Sequence, residues 1–583
     1  MFIKVTSSGG RRYAQLVESF RNEEGVPRQR TICTLGRVEP GGDVDKLIAA
    51  LQRAQGVGAE AAAGVAPDAL AGLQFLDARA AGDVWALFQL WQSLGLDDLA
   101  HAWRRSRSAL DVMALFRAMV FNRLCDPQSK LGVLRWLDTV ALPLDFGLSE
   151  LPKHQQLLRA MDVVDEHHEA LRDRMAVLMR PLIDQDLSLV FYDLTTVKAV
   201  GTSEVQGEVR AHGKAKSGLI ERQFMLSLVQ TADGLPIDHQ VHPGNTAEAP
   251  TLLPMIRELV ARYPLKRVVL VADRGLLSLS NLEALAELQT NLDEQGIRVK
   301  LQYILAVPAA RYSEFAANLA VMSKAQEAAQ PQGQDEPTAK PWVSELEWQS
   351  RRLIVAHDPL VAQRRTSERR KLIDDLVKQG QQWGGQLDDQ DAGQKRRGRP
   401  LSDSGAKARM FHAVKDANVA TLIKVDLKHE EFSFTVDEER QRYLELLDGK
   451  LLLVTNTDSS AQDVVAHYKS LADIERGFRV LKSDIEIGPV YHRLPQRIRA
   501  HAMVCFVALV LYRVMRMRLK AGKREESPTR LLEQLRRIQH QTVQAQDGRK
   551  VSGVTEINAM QKDLLAALKL PTPNPQAIQN PHL

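Results

Sequence analysis

The chain has 583 residues, 44% of them hydrophobic, which is too long for one core and apolar enough for several. Lys and Arg outnumber Asp and Glu by 77 to 72, with a pI near 8.9: a mildly basic balance compatible with nucleic acid without being diagnostic of it. Cys33, Cys125 and Cys505 lie far apart, which excludes a disulfide framework or zinc spacing and suits a reducing cytoplasm.

Phe2 to Val5, Tyr13 to Phe20 and Arg30 to Leu35 alternate between glycine turns and predict a small antiparallel sheet, domain 1–45. The N-terminus has no apolar signal core. An Ala/Gly-rich linker is expected over 54–72, followed by a helical candidate DNA-binding domain, 75–183. In it Asp83 is expected as an N-cap, a second helix covers Leu110 to Leu124, and Ser129 caps a third through Leu137. Arg104, Arg105, Arg107, Arg117, Arg123, Lys130 and Arg135 scatter through this block. They fit either a helix-turn-helix module or a bundle with a solvated basic surface.

The period then changes. Leu187 to Tyr192 is an apolar run ending at Asp193, and Arg267 to Ala272 is another ending at Asp273. Strands are also expected at Phe224 to Val229, Ile237 to Val241 and Leu301 to Val307. Mixed strands followed by alternation with helices predict a mixed sheet flanked by helices, the first part of a catalytic core at 184–307. Residues 308–450 read as a β-rich insertion. It contains a polar loop at 323–341, a strand at 345–357, a charged helix at 364–378 and a loop at 383–400. The core resumes over 451–512, and 513–583 is a helical C-terminal region. The apolar run Ala502 to Tyr512 is too short to span a bilayer and reads as a buried helix, so no membrane partner is expected.

Tyr468 to Ser483 reads as one helix. At about 100° per residue, Tyr468, Glu475, Arg479 and Lys482 share one narrow face. Asp193 and Asp273 each end an apolar strand, where open sheets bind ligands. Three carboxylates from two strands and a helix suit Mg²⁺ or Mn²⁺, which take hard oxygen ligands. Two such ions, roughly 3.5–4 Å apart, serve phosphodiester chemistry. Tyr468 and Lys482 stand where they would hold DNA phosphates. His212, Lys214, His242 and Asn245 flank the same strands, His492 is a possible DNA contact, and Glu486 is a rival third acid outside the Tyr-Glu-Lys spacing.

At these residues the sequence resembles a family. FYDLTT, VVLVADRG and Tyr468-x6-Glu475-x6-Lys482 are similar to the DDE transposases of bacterial insertion sequences, of the insertion-sequence-four superfamily. Gly488 to Leu509 and Gln15 to Arg30 resemble its sixteen-thirty-four-like branch. The resemblance implies a ribonuclease H-like α/β core with Asp193, Asp273 and Glu475 as catalytic metal ligands. It implies cut-and-paste transposition: cleavage and strand transfer on double-stranded DNA with terminal inverted repeats, insertion into target DNA, a homodimer in the synaptic complex, and a cytoplasmic, nucleoid-associated location. Relatives place an aromatic side chain where a base flips out, for which Trp342, Trp348 and Trp383 are candidates. The family's motif carries Arg where this chain has Leu471; Arg479, one turn after Glu475, is the candidate replacement for that charge. Three rivals are weighed. One is a ribonuclease H-like nuclease without strand transfer. Another is a haloacid-dehalogenase-like phosphatase, suggested by Asp193-Leu194-Thr195-Thr196. The third is a non-catalytic DNA-binding relative.

Overall fold

The structure, a computed structural model, describes residues 2–8, 11–21, 27–37, 73–103, 110–183, 189–214, 218–247, 249–263, 265–272, 279–328, 340–393, 400–545 and 547–579. Two compact units emerge: Met1–Ala78 with Gln541–Gly553, and Arg79–His540 with Val554–Leu583.

In the first unit β1 (Phe2–Ser8), β2 (Arg11–Arg21) and β3 (Pro27–Arg37) form the expected antiparallel meander. The Ala/Gly-rich linker lies outside the described residues. β4 (Gln74–Ala80) pairs with Gln539–Gln544, which pairs in turn with Lys550–Val554. The C-terminal region is therefore helical with one added hairpin.

The second unit opens with α1 (Gly82–Ser93). Asp83 does not cap it: Ala81 holds that position, and Asp83 is fully buried in an ion pair with Arg536, 2.9 Å away. A partner 453 residues distant leaves no local sequence signal. Gly82 permits the contact, since a Cβ there would lie 2.2 Å from the Leu535 carbonyl oxygen. α2 (Val112–Cys125) is capped by Asp111, and every residue in it is buried. Ser129 caps α3 (Lys130–Leu137) as expected, accepting from Gly132 N at 3.1 Å. Short β5 (Leu142–Pro143), α4 (His154–Glu166) and α5 (His168–Met179) complete the block.

The basic residues of this block do not form a common surface. Arg117, Arg123 and Lys130 are buried, Arg135 is exposed, and Arg104, Arg105 and Arg107 lie outside the described residues. Arg117 pairs with Asp97 beneath the rings of Phe88, Trp91 and Phe146.

The central sheet follows. Its first strands are β6 (Leu189–Lys198), β7 (Ala211–Lys214), β8 (Ile220–Thr231) and β9 (Pro236–Pro243). After α6 (Leu252–Arg262) come β10 (Arg267–Ala272), α7 (Leu279–Glu294) and β11 (Lys300–Ala306). β6, β10 and β11 run parallel side by side, while β8 and β9 continue antiparallel beyond β6. This β9-β8-β6-β10-β11 order is the expected ribonuclease H-like core.

The insertion, expected to be β-rich, is mainly helical among its described residues. After α8 (Ala316–Ala328) come β12 (Trp342–Trp348) and β13 (Arg351–His357), a hairpin turning at Gln349-Ser350 where a single strand was expected. Both turn residues have positive φ, 49° and 58°, without the Asn-Gly signature that usually announces such a turn. Then α9 (Pro359–Asp391) runs for 33 residues, containing the expected charged helix and continuing into the first part of the segment expected as a loop. Gly380, Gly384 and Gly385 disguise it, but Ile373, Leu376 and Leu387 are buried. Gly380 is small because the Phe434 ring sits 2.5 Å from where its Cβ would be. α10 (Asp403–Asp416), β14 (Ile423–Val425), β15 (Phe434–Val436) and α11 (Glu438–Leu447) share this second core. β16 (Lys450–Thr455) returns the chain to the main sheet between β11 and β13.

α12 (Ala461–Lys469) and α13 (Leu471–Ser483) precede the long α14 (Pro495–Ala521). α14 is long and apolar enough to cross a membrane, yet 94% of its apolar window is buried inside the fold. It packs on α2, α4 and β9, joining the helical block and the sheet into one hydrophobic core.

Candidate active site

Tyr468 and Glu475 do not share one helix. The chain changes helix at Ser470, whose hydroxyl donates to the Ala466 carbonyl at 2.9 Å. Such back-bonding to the preceding turn bends helices. Tyr468 is half-buried on α12, while Glu475, Arg479 and Lys482 hold positions i, i+4 and i+7 of α13. Arg479 and Lys482 are exposed, whereas Gly477, Phe478, Val480 and Leu481 are buried. Leu471 is the first residue of α13. Of Leu471 and Glu475 the structure describes the backbone alone.

Asp193 lies inside β6 rather than at its end. Leu194-Thr195-Thr196-Val197 is a good strand sequence and continues to pair with β8. Pairing with β10, however, covers only Leu189, Val190 and Phe191, so Asp193 stands just past the parallel part of the strand. It is half-buried, and its Oδ1 accepts from Leu194 N at 2.7 Å. Asp273 follows Ala272, the last residue of β10, and lies outside the described residues.

Strand alternation fixes which face Asp193 occupies. Directly paired residues project to one side, so Phe191, Asp193, Thr195 and Val197 share a face with Gln230, Leu228, Leu226 and Phe224. α13 lies on that face. A Cβ on Gly477 would be 2.6 Å from Gln230 Nε2, and one on Gly488 would be 3.0 Å from Val197 Cγ1. The helix carrying Glu475 is therefore seated on the Asp193 side of the sheet, with Gly477 packed directly against Gln230. Gln230 is fully buried, and neither side-chain polar atom has a hydrogen-bond partner among the described residues.

His239 continues the same row, paired with Leu228. Its ring stacks on Phe506 of α14 at 4.4 Å, and burial holds it neutral, well below the usual histidine range. His242 projects to the opposite face, where Ser227 Oγ lies 3.0 Å from its Nε2; it does not face Asp193. His212 and Lys214 belong to edge strand β7, and Asn245 follows β9. His492 is half-buried with its pKa pushed down to about 3, burial being the largest cause, and it lines a cavity beside Lys130. Glu486 lies beyond α13, exposed, with φ of 52°.

Each tryptophan candidate has a definite setting. Trp348 meets Phe315 edge-on at 5.8 Å with Arg311 over its ring. Trp383 packs on the insertion's own core. Trp342 stacks obliquely on His357 at 5.4 Å and borders a cavity of about 230 Å³ shared with Lys450, Val465 and Lys469.

Among the described residues no three His, Cys, Asp or Glu side chains converge as a metal site. Two of the three expected ligands, Asp273 and the Glu475 side chain, lie outside them. The donor chemistry fits a hard cation, since all three expected ligands are carboxylates.

Two family models match the chain. Residues 3–62 match the IS1634 family transposase N-terminal domain. Residues 184–511 match the transposase DDE domain, covering β6 through most of α14. No curated protein matches. Such domains generally use divalent metal ions; Asp193-x-x-Thr196 lies within the residues that match the transposase DDE domain, and no match to a phosphatase was found. The longer match spans more than half of the sequence, and this chain belongs to the DDE transposases, of the IS1634-like branch, enzymes that act on DNA through metal-dependent phosphodiester chemistry.

Proposed function

We propose that the enzyme cuts the ends of its own insertion element and joins them to target DNA. The observation that carries this reading is the seating of α13 on the Asp193 face of the sheet. A second feature supports it: β6 and β10 pair 189 with 269, 190 with 270 and 191 with 271, and 193 and 273 keep that same numerical spacing.

Asp193, Asp273 and Glu475 would hold two Mg²⁺ or Mn²⁺ ions. When bound, such a pair activates the attacking oxygen and stabilises the leaving one. The chain's own residues do the positioning. Phe478 and Leu481 anchor α13 in the core, so that Arg479 and Lys482 project outward to hold phosphates. Arg479 supplies the charge absent at Leu471. Tyr468 reaches the site from the neighbouring α12. Hydrolysis at an element end leaves a 3′-OH, which attacks the opposite strand and closes a hairpin; a second hydrolysis reopens the hairpin and frees the 3′-OH, which then attacks the target. Of the three tryptophans, Trp342 is the best placed to receive a flipped base, because it borders a cavity beside α12. The working form is a homodimer bridging two inverted repeats.

The test uses full-length protein, Mg²⁺ and duplexes carrying the inverted repeats that flank the coding region. Asp193→Asn, Asp273→Asn and Glu475→Gln should each abolish nicking and strand transfer while leaving duplex binding intact. Cutting retained by any of the three would sink the ligand assignment. Nicking without joined products would instead favour a simple nuclease.

A further inference from the structure

A second cavity has a lining whose charged residues are largely basic. It has a volume of about 790 Å³ and opens between α3, α4 and the segment that links α13 to α14. Arg123, Lys130, His154, His492 and Arg497 line it, with Glu486 the one acid among its lining residues. Lys130 is 5% exposed and Arg123 is 4% exposed. No carboxylate among the described residues pairs with either. Lys130 makes no hydrogen bond there, although it lines the cavity wall. Arg123 donates only to neutral oxygens: the carbonyls of Ile485 at 3.4 Å and Glu486 at 3.2 Å, and Asn122 Oδ1 at 3.3 Å. Its Nε has no partner. Arg497 is already held by Asp162 at 2.7 and 2.8 Å and contributes wall rather than free charge.

Glu486 and Asp126 act on Arg123 only from a distance; burying two cations side by side with no carboxylate in direct contact is unfavourable and makes sense where an anion completes the set. Three features narrow the anion. The cavity lacks the carboxylates a metal would need. It receives the N-terminus of α3, whose first-turn N–H groups favour negative oxygens. It is also tied to the catalytic strand: Val490, in its wall, donates to Lys198 O at 2.9 Å and accepts from Val200 N at 2.8 Å, at the end of β6.

We propose that this cavity grips a backbone phosphate of the DNA on which the enzyme acts, with Lys130 and Arg123 as the buried charges that hold it. The proposal rests on the reading that the chain binds DNA. A strand anchored here is fixed to the same segment that joins the Glu475 helix to α14 and that is bonded to the end of the Asp193 strand. The cavity therefore sets where along the DNA the carboxylates act.

The test measures full-length protein on a fluorescent element-end duplex over a salt series. Lys130→Met and Lys130→Gln should weaken binding about 5- to 20-fold and reduce the slope of log K against log salt by about one, the signature of one lost phosphate contact. Lys130→Arg should restore both. Lys562→Gln, on the exposed side of a remote C-terminal helix, should change neither. Circular dichroism verifies folding, and Arg123→Gln provides an independent variant with the same expected slope change. Unchanged affinity and slope in both Lys130→Met and Arg123→Gln overturn the proposal. Inorganic phosphate that stabilises wild type but not Lys130→Met, with duplex affinity unchanged, overturns it in favour of a free-anion site. Wild type that fails to bind duplex at all overturns this proposal and the transposition reading together. A null result at both Lys130 and Arg123 in an enzyme that still cuts, and stops cutting as Asp193→Asn, overturns the phosphate site alone.

Discussion

Gly477→Ala places a methyl group where Gln230 now sits. The new Cβ would lie 2.6 Å from Gln230 Nε2, 3.1 Å from Oε1 and 3.2 Å from Cδ, well inside ordinary contact. Two effects oppose each other. Replacing a helical glycine by alanine favours the helix by about 1 kcal/mol. Overpacking a filled interior costs about 1–3 kcal/mol. The contact is with the far end of a flexible side chain, but Gln230 is fully buried, so either its amide turns within a filled interior or α13 lifts. Net stability should fall by about 0–2 kcal/mol in urea unfolding. Activity should fall further, on the order of 100-fold, because small misplacements of a catalytic group are costly. Adding Gln230→Ala should recover most of the cleavage rate, since it removes the obstacle and two polar atoms without partners among the described residues. The assay is nicking of an element-end duplex with Mg²⁺. A Gly477→Ala enzyme that is about 1 kcal/mol more stable and cuts at the wild-type rate would refute the claim that this contact sets the position of Glu475.

Arg479→Ala and Lys482→Ala should each weaken duplex binding and cleavage; if Arg479→Ala behaves as wild type while Lys482→Ala is crippled, Arg479 does not compensate for Leu471. Burial holds His239 and His501 well below their ordinary 6.5 and His492 at about 3, so the unfolded chain takes up protons that the native fold refuses. Stability should therefore fall as the pH drops below about 6.5, by up to ~1.4 kcal/mol per pH unit for each fully buried histidine; urea midpoints that do not move between pH 7 and 5 would contradict this. Burial, with help from Arg123, lowers Lys130 from 10.5 to about 7, while His492, His501, His154 and Arg497 add no negative charge and Glu486 is exposed. The native state thus carries the full cost of that charge below pH 7, and Lys130→Met should stabilise the free protein there, the gain shrinking by about 1.4 kcal/mol per pH unit between about 7 and 10.5. A pH-independent difference between Lys130→Met and wild type would mean that the lysine is solvated.

Much of the architecture was legible from local patterns. Apolar runs ending near Asp193 and Asp273 predicted buried strands of one mixed sheet, because a strand covered on both faces must be apolar throughout; that the two are parallel neighbours was visible only in the structure. Ser129 as a cap and Ala502–Tyr512 as buried helix followed from the same short-range rules. The i, i+4, i+7 spacing of Glu475, Arg479 and Lys482 survived because all three belong to α13. Tyr468 did not stay with them, since the chain changes helix at Ser470.

Charge and glycine were where sequence reasoning ran out, because their meaning depends on what packs against them. Arg123 and Lys130 read as surface charges, yet α14 and its preceding segment enclose them from more than 350 residues away. Asp83 read as a cap until Arg536 reached it. Gly380 and Gly477 carry no local sign of their role, yet each is a spot where a helix touches a side chain of a distant strand. Composition, period and spacing determined most elements of the core and singled out the candidate carboxylates. Only the tertiary structure decided which face of the sheet the glutamate helix occupies and which cations lost their water, because both depend on contacts between segments that no local pattern encodes.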